Sequence, residues 1–175
     1  GFPLSHKLVQ REIQLAAGSV QAAVYSLSHG LGMNAAGGTH HAFSNRGEGF
    51  CLLNDIAITA NFLLDNRLAK RVLVVDLDVH QGNGTAEIFI GRKDVFTFSM
   101  HGEKNYPHRK EKSSLDIGLA DGTGDEVYLQ KLNQALLLIL KEFEPDFLIY
   151  QCGVDVLASD QLGRLNLSLK GVRER

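Results

Sequence analysis

The stretch Val72-Leu73-Val74-Val75-Asp76-Leu77-Asp78-Val79-His80 constrains this chain more than any other. Four consecutive apolar residues, three of them β-branched, lead directly into a row of alternating polar side chains. On an extended segment successive side chains take opposite faces, so Asp76, Asp78 and His80 share one side while Val75, Leu77 and Val79 take the other. Two carboxylates and an imidazole gathered at the end of a buried strand are costly unless a cation sits among them. A divalent metal is the natural occupant. The Gln81-Gly82-Asn83-Gly84-Thr85 turn that follows lets the backbone fold closely around such a site before a short helix begins.

Around this stretch the pattern alternates helix with strand, which predicts a largely parallel sheet with helices on its faces. Residues 5–29 read as a helix with an apolar stripe through Leu8, Ile13, Leu15, Ala16, Val20, Ala23 and Val24. Gly30 and Gly32 end it, and a small-residue segment then runs to the pair His40-His41. A second helix is expected over 50–64 and the first strand over 71–76. Another strand is expected over 95–100, ending at His101-Gly102. Residues 103–121 are charged, carry Pro107 and show no period, and so read as a long surface loop. Thr123-Gly124-Asp125-Glu126 has capping-box spacing and predicts a helix to about Phe143. Pro145 stops that helix, and 146–151 is expected to be a third buried strand, ending at Cys152-Gly153-Val154-Asp155. No repeat, low-complexity stretch or linker divides the chain, so residues 1–175 are read as one domain.

Composition narrows the functional classes. At 44% hydrophobic content over 175 residues, the chain can bury a real core. A net charge of -2 provides no electrostatic attraction for nucleic acid or an anionic membrane. No apolar run reaches the length of a bilayer span, and no basic-then-apolar leader opens the sequence. The two cysteines, Cys51 and Cys152, lack CxxC or zinc-finger spacing and suit a reducing compartment, so a cytoplasmic location is the expectation.

Three strand ends therefore carry polar residues: His40 and His41, then Asp76, Asp78 and His80, then Asp155. In open parallel sheets, sites form where the carboxyl ends of strands meet, which makes these residues neighbours despite their separation in sequence. Gly37-Gly38-Thr39-His40-His41-Ala42, Gly49-Phe50-Cys51 with Asn54-Asp55, Asp76-Leu77-Asp78-Val79-His80-Gln81-Gly82-Asn83-Gly84 and Gly153-Val154-Asp155 stand in the order and at the spacing of the histone deacetylase superfamily, which this chain resembles. The Gln after His80 and the segment 155–163 are more similar to the class IV branch and its bacterial relatives than to class I.

The resemblance implies a three-layer arginase/deacetylase-like α/β fold with a mostly parallel central sheet. It implies zinc held by Asp78, His80 and Asp155, with His40 and His41 as the paired acid/base residues. Asp76 would hold His40, and Asn83 would orient His41. Gly49 and Phe50 would line an acyl tunnel, with Tyr106 near it. A structural potassium ion would take Asp76 and Ser99 together with backbone carbonyls of Asp78, His80 and Met100. Two oxygen donors and one nitrogen form a harder set than a histidine-rich site, so Fe²⁺ competes with Zn²⁺. Three protein ligands leave a coordination position open, as catalysis requires. His101 is expected to be structural, His29 and His108 solvent-facing, and Cys152 a small buried hydrophobe.

The implied activity is hydrolysis of an acylated amine, most simply N6-acetyl-lysine. An acetylpolyamine, a small acetylated metabolite or a long-chain acyl-lysine is the alternative substrate, and a non-catalytic acetyl-ligand binder is the alternative of another class. The family's oxyanion tyrosine lies on a downstream glycine-rich loop, and none of Tyr25, Tyr106, Tyr128 or Tyr150 sits in that motif. Gly1-Phe2-Pro3 resembles an internal start. The segment is thus expected to be the central portion of a longer enzyme, lacking N-terminal strands and the tyrosine loop. In isolation it is expected to bind metal weakly, turn over poorly and self-associate through uncovered sheet edges.

Overall fold

In the computed structural model, which describes residues 4–175, β1 (Val72–Asp76) is buried at every position. The expectation concerning Gly1-Phe2-Pro3 lies outside the described residues. Strand β1 pairs in parallel with β2 (Val95–Gly102) on one side and β4 (Phe147–Gln151) on the other, and β2 pairs in parallel with β3 (Leu115–Leu119). The order β3-β2-β1-β4 places β1 inside the sheet. Its register aligns Asp76 with Ser99 and with Gln151, so β1 and β4 end level while β2 runs on to Gly102.

Both faces of β1 are covered, which is why the sequence there shows an unbroken apolar run. Val72 and Val74 pack with Ile56, Ala57, Ala60 and Leu63 of α2 (Asp55–Asp65) and Ala23 of α1 (His6–His29). Leu73 and Val75 pack instead with Phe98 and with Tyr128, Leu132, Ala135 and Ile139 of α4 (Asp125–Phe143). Each buried Val, Leu, Ile or Phe side chain among these contributes about 1.5–3 kcal/mol when withdrawn from water. The result is the helix–sheet–helix layering expected from the sequence. Leu77 and Val79 continue into the same core as Val75, although the chain beyond Asp76 bends out of the strand.

Several local expectations are corrected. The second helix begins at Asp55 rather than near residue 50, because Gly49 and Phe50 both have positive φ (53° and 66°) in a tight turn closed by a Glu48–Cys51 bridge. Asn54 then caps α2, its side chain accepting from the Ala57 amide. Thr123 forms no capping box. Gly124 is the N-cap, the Thr123 hydroxyl donates to the Ala120 carbonyl, and the Asp125 carboxylate instead accepts from the amide and hydroxyl of Ser168. The supposed loop 103–121 contains β3, a short strand with partly exposed positions whose Asp116 and Gly118 hide its period. Strand β4 is not fully buried: Leu148 and Tyr150 are 49% and 41% exposed, since β4 is a sheet edge among the described residues. A helix was not expected after Ser168, yet α5 (Leu169–Glu174) forms there.

Helix α3 (Asn83–Ile88) begins beside the histidine segment, and its contact leaves no room for a side chain at Gly84. A Cβ there would drive into the Ala42 carbonyl and the His41 backbone, neither of which is the movable end of a side chain. Gly84→Ala is expected to destabilise the protein by about 1–3 kcal/mol, the usual cost of overpacking. A denaturant midpoint within error of wild type would show that this approach is looser than described.

Candidate metal and acid–base site

The residue that delivers the histidine pair is Asp55 at the start of α2. Its buried carboxylate accepts from the amides of Gly38 and Thr39 and from the hydroxyls of Thr39 and Ser19. Asn54 acts from the other side, its amide nitrogen donating to the Ala42 carbonyl at 3.0 Å and to Thr85 Oγ1 at 3.0 Å. Both residues were part of the motif recognised in the sequence, but spacing alone assigned them no task. Their placement at the N-terminus of α2 allows them to organise the 37–42 segment.

That segment brings His40 and His41 side by side, with ring centroids 4.1 Å apart, over the carboxyl ends of the strands. Their partners differ. His40 Nδ1 lies 2.6 Å from Asp76 Oδ2, whereas His41 Nδ1 lies 2.7 Å from the Asn83 side-chain oxygen. Burial alone would depress His40, but the Asp76 carboxylate outweighs it and holds the imidazole up at about 9. Burial and the neighbouring His40 push His41 down to about 4. Asp76 itself is raised above the usual carboxylate range by burial, despite its contact with His40.

Asp78, His80 and Asp155 converge next to this pair. His80 Nδ1 is 3.0 Å from Asp78 Oδ1 and 3.0 Å from Asp155 Oδ2, and the three donor atoms all lie within 4.8 Å of one another. Backbone amides fix the carboxylates: that of Val79 donates to Asp155 Oδ1 and that of His80 to Asp78 Oδ1. Burial opposes the charge on Asp78, yet its bonds to His80 hold it well below the ordinary carboxylate range. Against its own burial, the two carboxylates raise His80 to about 9. One imidazole nitrogen and two carboxylate oxygens at this spacing fit a divalent cation such as zinc or ferrous iron. Arg175 braces the ligand segments by donating to the carbonyls of Leu77 and Gly153.

The other expected residues fall around this centre. Gly49 lies against the His41 ring, leaving no space for a Cβ. Phe50 is 76% exposed. Tyr106 stands edge-on to His41 with centroids 5.0 Å apart and 6.4 Å from His80. It presents its ring to the histidines, since its hydroxyl donates to Glu48 Oε1 at 2.8 Å. Ser99 Oγ pairs with Nδ1 of the buried His101 at 2.9 Å and is level with Asp76, while Met100 is fully buried. His29 and His108 are exposed, as expected.

Two further residues have partners that the sequence does not indicate. Glu48 touches both Tyr106 and Asn83. Gln81 is completely buried; its amide nitrogen donates to the Glu111 carbonyl and to Asp116, and its oxygen accepts from the Glu111 amide. The segment carrying Tyr106 is thereby tied to the residue that follows His80. A charged residue or a glutamine in a turn gives no pattern by which either partner could be found from sequence.

The cysteines are both free, and Cys152 is exposed rather than buried because it follows the edge strand β4. Burial pushes the Cys51 thiol up to about 11. At pH 8 about one Cys51 in a thousand would be thiolate, so Cys152 should account for the fast phase of labelling by a thiol reagent. Cys152→Ser should abolish that phase, and Cys51 should become reactive only as pH rises toward 11. A fast phase surviving in Cys152→Ser would contradict this order.

Known proteins share this arrangement. The model of the histone deacetylase domain matches residues 2–175. An uncharacterised protein of Picosynechococcus is 47% identical over all 175 residues, which make up 58% of its length. Histone deacetylase 2 of Arabidopsis thaliana is 34% identical over 161 residues, covering 90% of this chain and 42% of that protein. The chain thus spans about half the length of these curated relatives. Among solved structures, a histone deacetylase homologue from Aquifex aeolicus superposes with a TM-score of 0.83 at 30% identity, over 93% of this chain and 47% of its own. An acetylpolyamine aminohydrolase from Burkholderia pseudomallei gives 0.75 at 29% identity, over 89% and 49%. With the fold, the ordered motifs and the family model in agreement over nearly its full extent, the chain belongs to the histone deacetylase family.

Proposed function

We propose that this segment is the catalytic centre of a zinc-dependent deacylase that cleaves the amide of an acylated amine, most simply N6-acetyl-lysine. The observation that carries the proposal is the pairing of one ligand triad with two histidines given unlike partners. Asp78, His80 and Asp155 would hold a divalent cation, which would supply Lewis acidity toward the amide carbonyl and toward water. His41, whose partner is a neutral amide, is the group that takes up a proton and returns it to the leaving amine. His40, fixed to the Asp76 carboxylate, carries positive charge next to the reacting atoms and stabilises the negative charge that develops there. Gly49, Phe50 and Tyr106 form the wall along which an acyl group would lie. Asp76, Ser99 and the carbonyls of Asp78, His80 and Met100 are the proposed potassium ligands.

The structural similarity to an acetylpolyamine aminohydrolase supports a second reading, in which the amine is a polyamine rather than a lysine side chain. Hydrolysis of acetyl-lysine peptides and acetylpolyamines by the full-length protein, with and without chelator, tests both. Chelator-sensitive turnover of either substrate class supports a metal deacylase, and the preferred class identifies the amine. Stoichiometric metal with no turnover of either class, or of longer acyl-lysines, would replace the deacylase with an acetyl-ligand binder.

No helix of the described residues is long and apolar enough to cross a membrane.

A further inference from the structure

We infer that Glu48 is a positioning residue that sets the tautomer of His41 through the side-chain amide of Asn83. The inference rests on the proposed acid–base role of His41. It begins from an ambiguity: an imidazole Nδ1 and an amide group can meet in two ways, with the ring nitrogen donating to the amide oxygen or the amide nitrogen donating to the ring. The His41–Asn83 pair contains nothing that chooses between them.

Glu48 makes the choice. Its Oε1 lies 2.8 Å from Asn83 Nδ2 and 2.8 Å from the Tyr106 hydroxyl, and Arg46 holds Oε2 at 3.3 Å. An ionised carboxylate only accepts, so Asn83 must turn its nitrogen toward Glu48 and its oxygen toward His41. His41 Nδ1 must then carry the proton, leaving Nε2 as the bare nitrogen that can accept one. Tyr106 and Asn83 hold the Glu48 carboxyl below its ordinary range even though burial opposes this, so it remains an acceptor at neutral pH. For its part, Tyr106 is pushed up to about 12 by burial and by Glu48 and remains a donor.

The design differs from that at His40, where Asp76 bonds the ring directly. Direct contact with a carboxylate fixes the tautomer and also favours the imidazolium. An amide placed between His41 and Glu48 transmits the direction of the hydrogen bond without bringing the charge against the ring. His41 is thereby oriented as a base while remaining neutral. The Glu48 side chain is 28% exposed, so it reaches Asn83 from the rim of the site rather than from the core.

The test is ¹⁵N NMR of histidine-labelled full-length protein, with His41 assigned by its loss in His41→Ala, together with steady-state kinetics. Wild type should show His41 protonated at Nδ1 and bare at Nε2. In Glu48→Ala the amide is free to turn, so the Nε2-protonated form should appear and kcat should fall about 10-fold, as for other outer partners of this kind, with KM little changed. Glu48→Gln, which can still offer an oxygen to Asn83, should restore the wild-type tautomer and most of kcat. In an Asn83→Ala background, adding Glu48→Ala should have no further effect, because the path is already cut. A wild-type tautomer in Glu48→Ala with kcat within about twofold would overturn the inference. An equal loss from Glu48→Ala with and without Asn83 would also overturn it, and this comparison holds even if one variant is less stable. Tautomer exchange in Glu48→Ala without acyl-amide hydrolysis by wild type would support the positioning and reject the deacylase reading. Hydrolysis with no change in tautomer would do the reverse.

Discussion

Asparagine in place of Asp78 should abolish metal-linked stabilisation while leaving the metal-free fold intact. The substitution keeps an oxygen able to accept from the His80 amide, so the local backbone retains its bond. It removes one of the two charges that face the cation. Unit charges about 4 Å apart are worth about 4 kcal/mol at an effective dielectric constant near 20, so metal affinity should fall by about a thousandfold. Thermal melts of the full-length protein with and without zinc provide the check. At about 100-fold excess over its dissociation constant, the metal should add about 2.7 kcal/mol to wild type and almost nothing to Asp78→Asn. Equal zinc-induced shifts in both proteins would remove Asp78 from the ligand set.

His41→Ala should give the opposite combination, with full metal content and little turnover. Loss of a positioned acid–base group costs typically about 10²–10⁴ in rate. The His41 ring hydrogen-bonds through Nδ1 to Asn83 rather than to a ligand atom. The metal should therefore stay, and the zinc-induced stabilisation should match wild type. A variant that binds zinc normally and retains more than about a tenth of wild-type kcat would transfer the proton-handling role to His40 or to the substrate.

The two variants address residues that were legible in the sequence for different reasons. Strand geometry dictates which side chains share a face over 72–76, and Leu77 and Val79 keep the alternation of core positions with Val75 although the chain has by then left the strand. His40, His41 and Asp155 became readable only through the ordered motifs, since nothing local ties a histidine pair to a carboxylate 114 or 115 positions later. The start of α2 was misplaced because an apolar composition from residue 50 onward masks two positive-φ residues, and backbone handedness at Phe50 has no signature in its side chain. Strand β3 was missed because an edge strand need not alternate cleanly when one face is half open. The same limit applies to β4, whose apolar sequence suggested full burial while its exposure depends on which neighbour lies beside it. Glu48 and Gln81 act across 35 and 30 residues respectively, on partners in other turns, and only the assembled fold brings them into contact.

The buried Gln81 bond set has a consequence for engineering. Because this side chain joins the turn after His80 to Glu111 and Asp116, the Tyr106 segment and the ligand turn form one mechanical cassette. Transplanting residues 105–116 from a relative with a different substrate range, without its own counterpart of Gln81, would strand up to three buried polar groups. The graft would then disturb the metal turn as well as the wall. Chimeras that exchange both pieces together are the ones in which substrate preference should move independently of metal affinity.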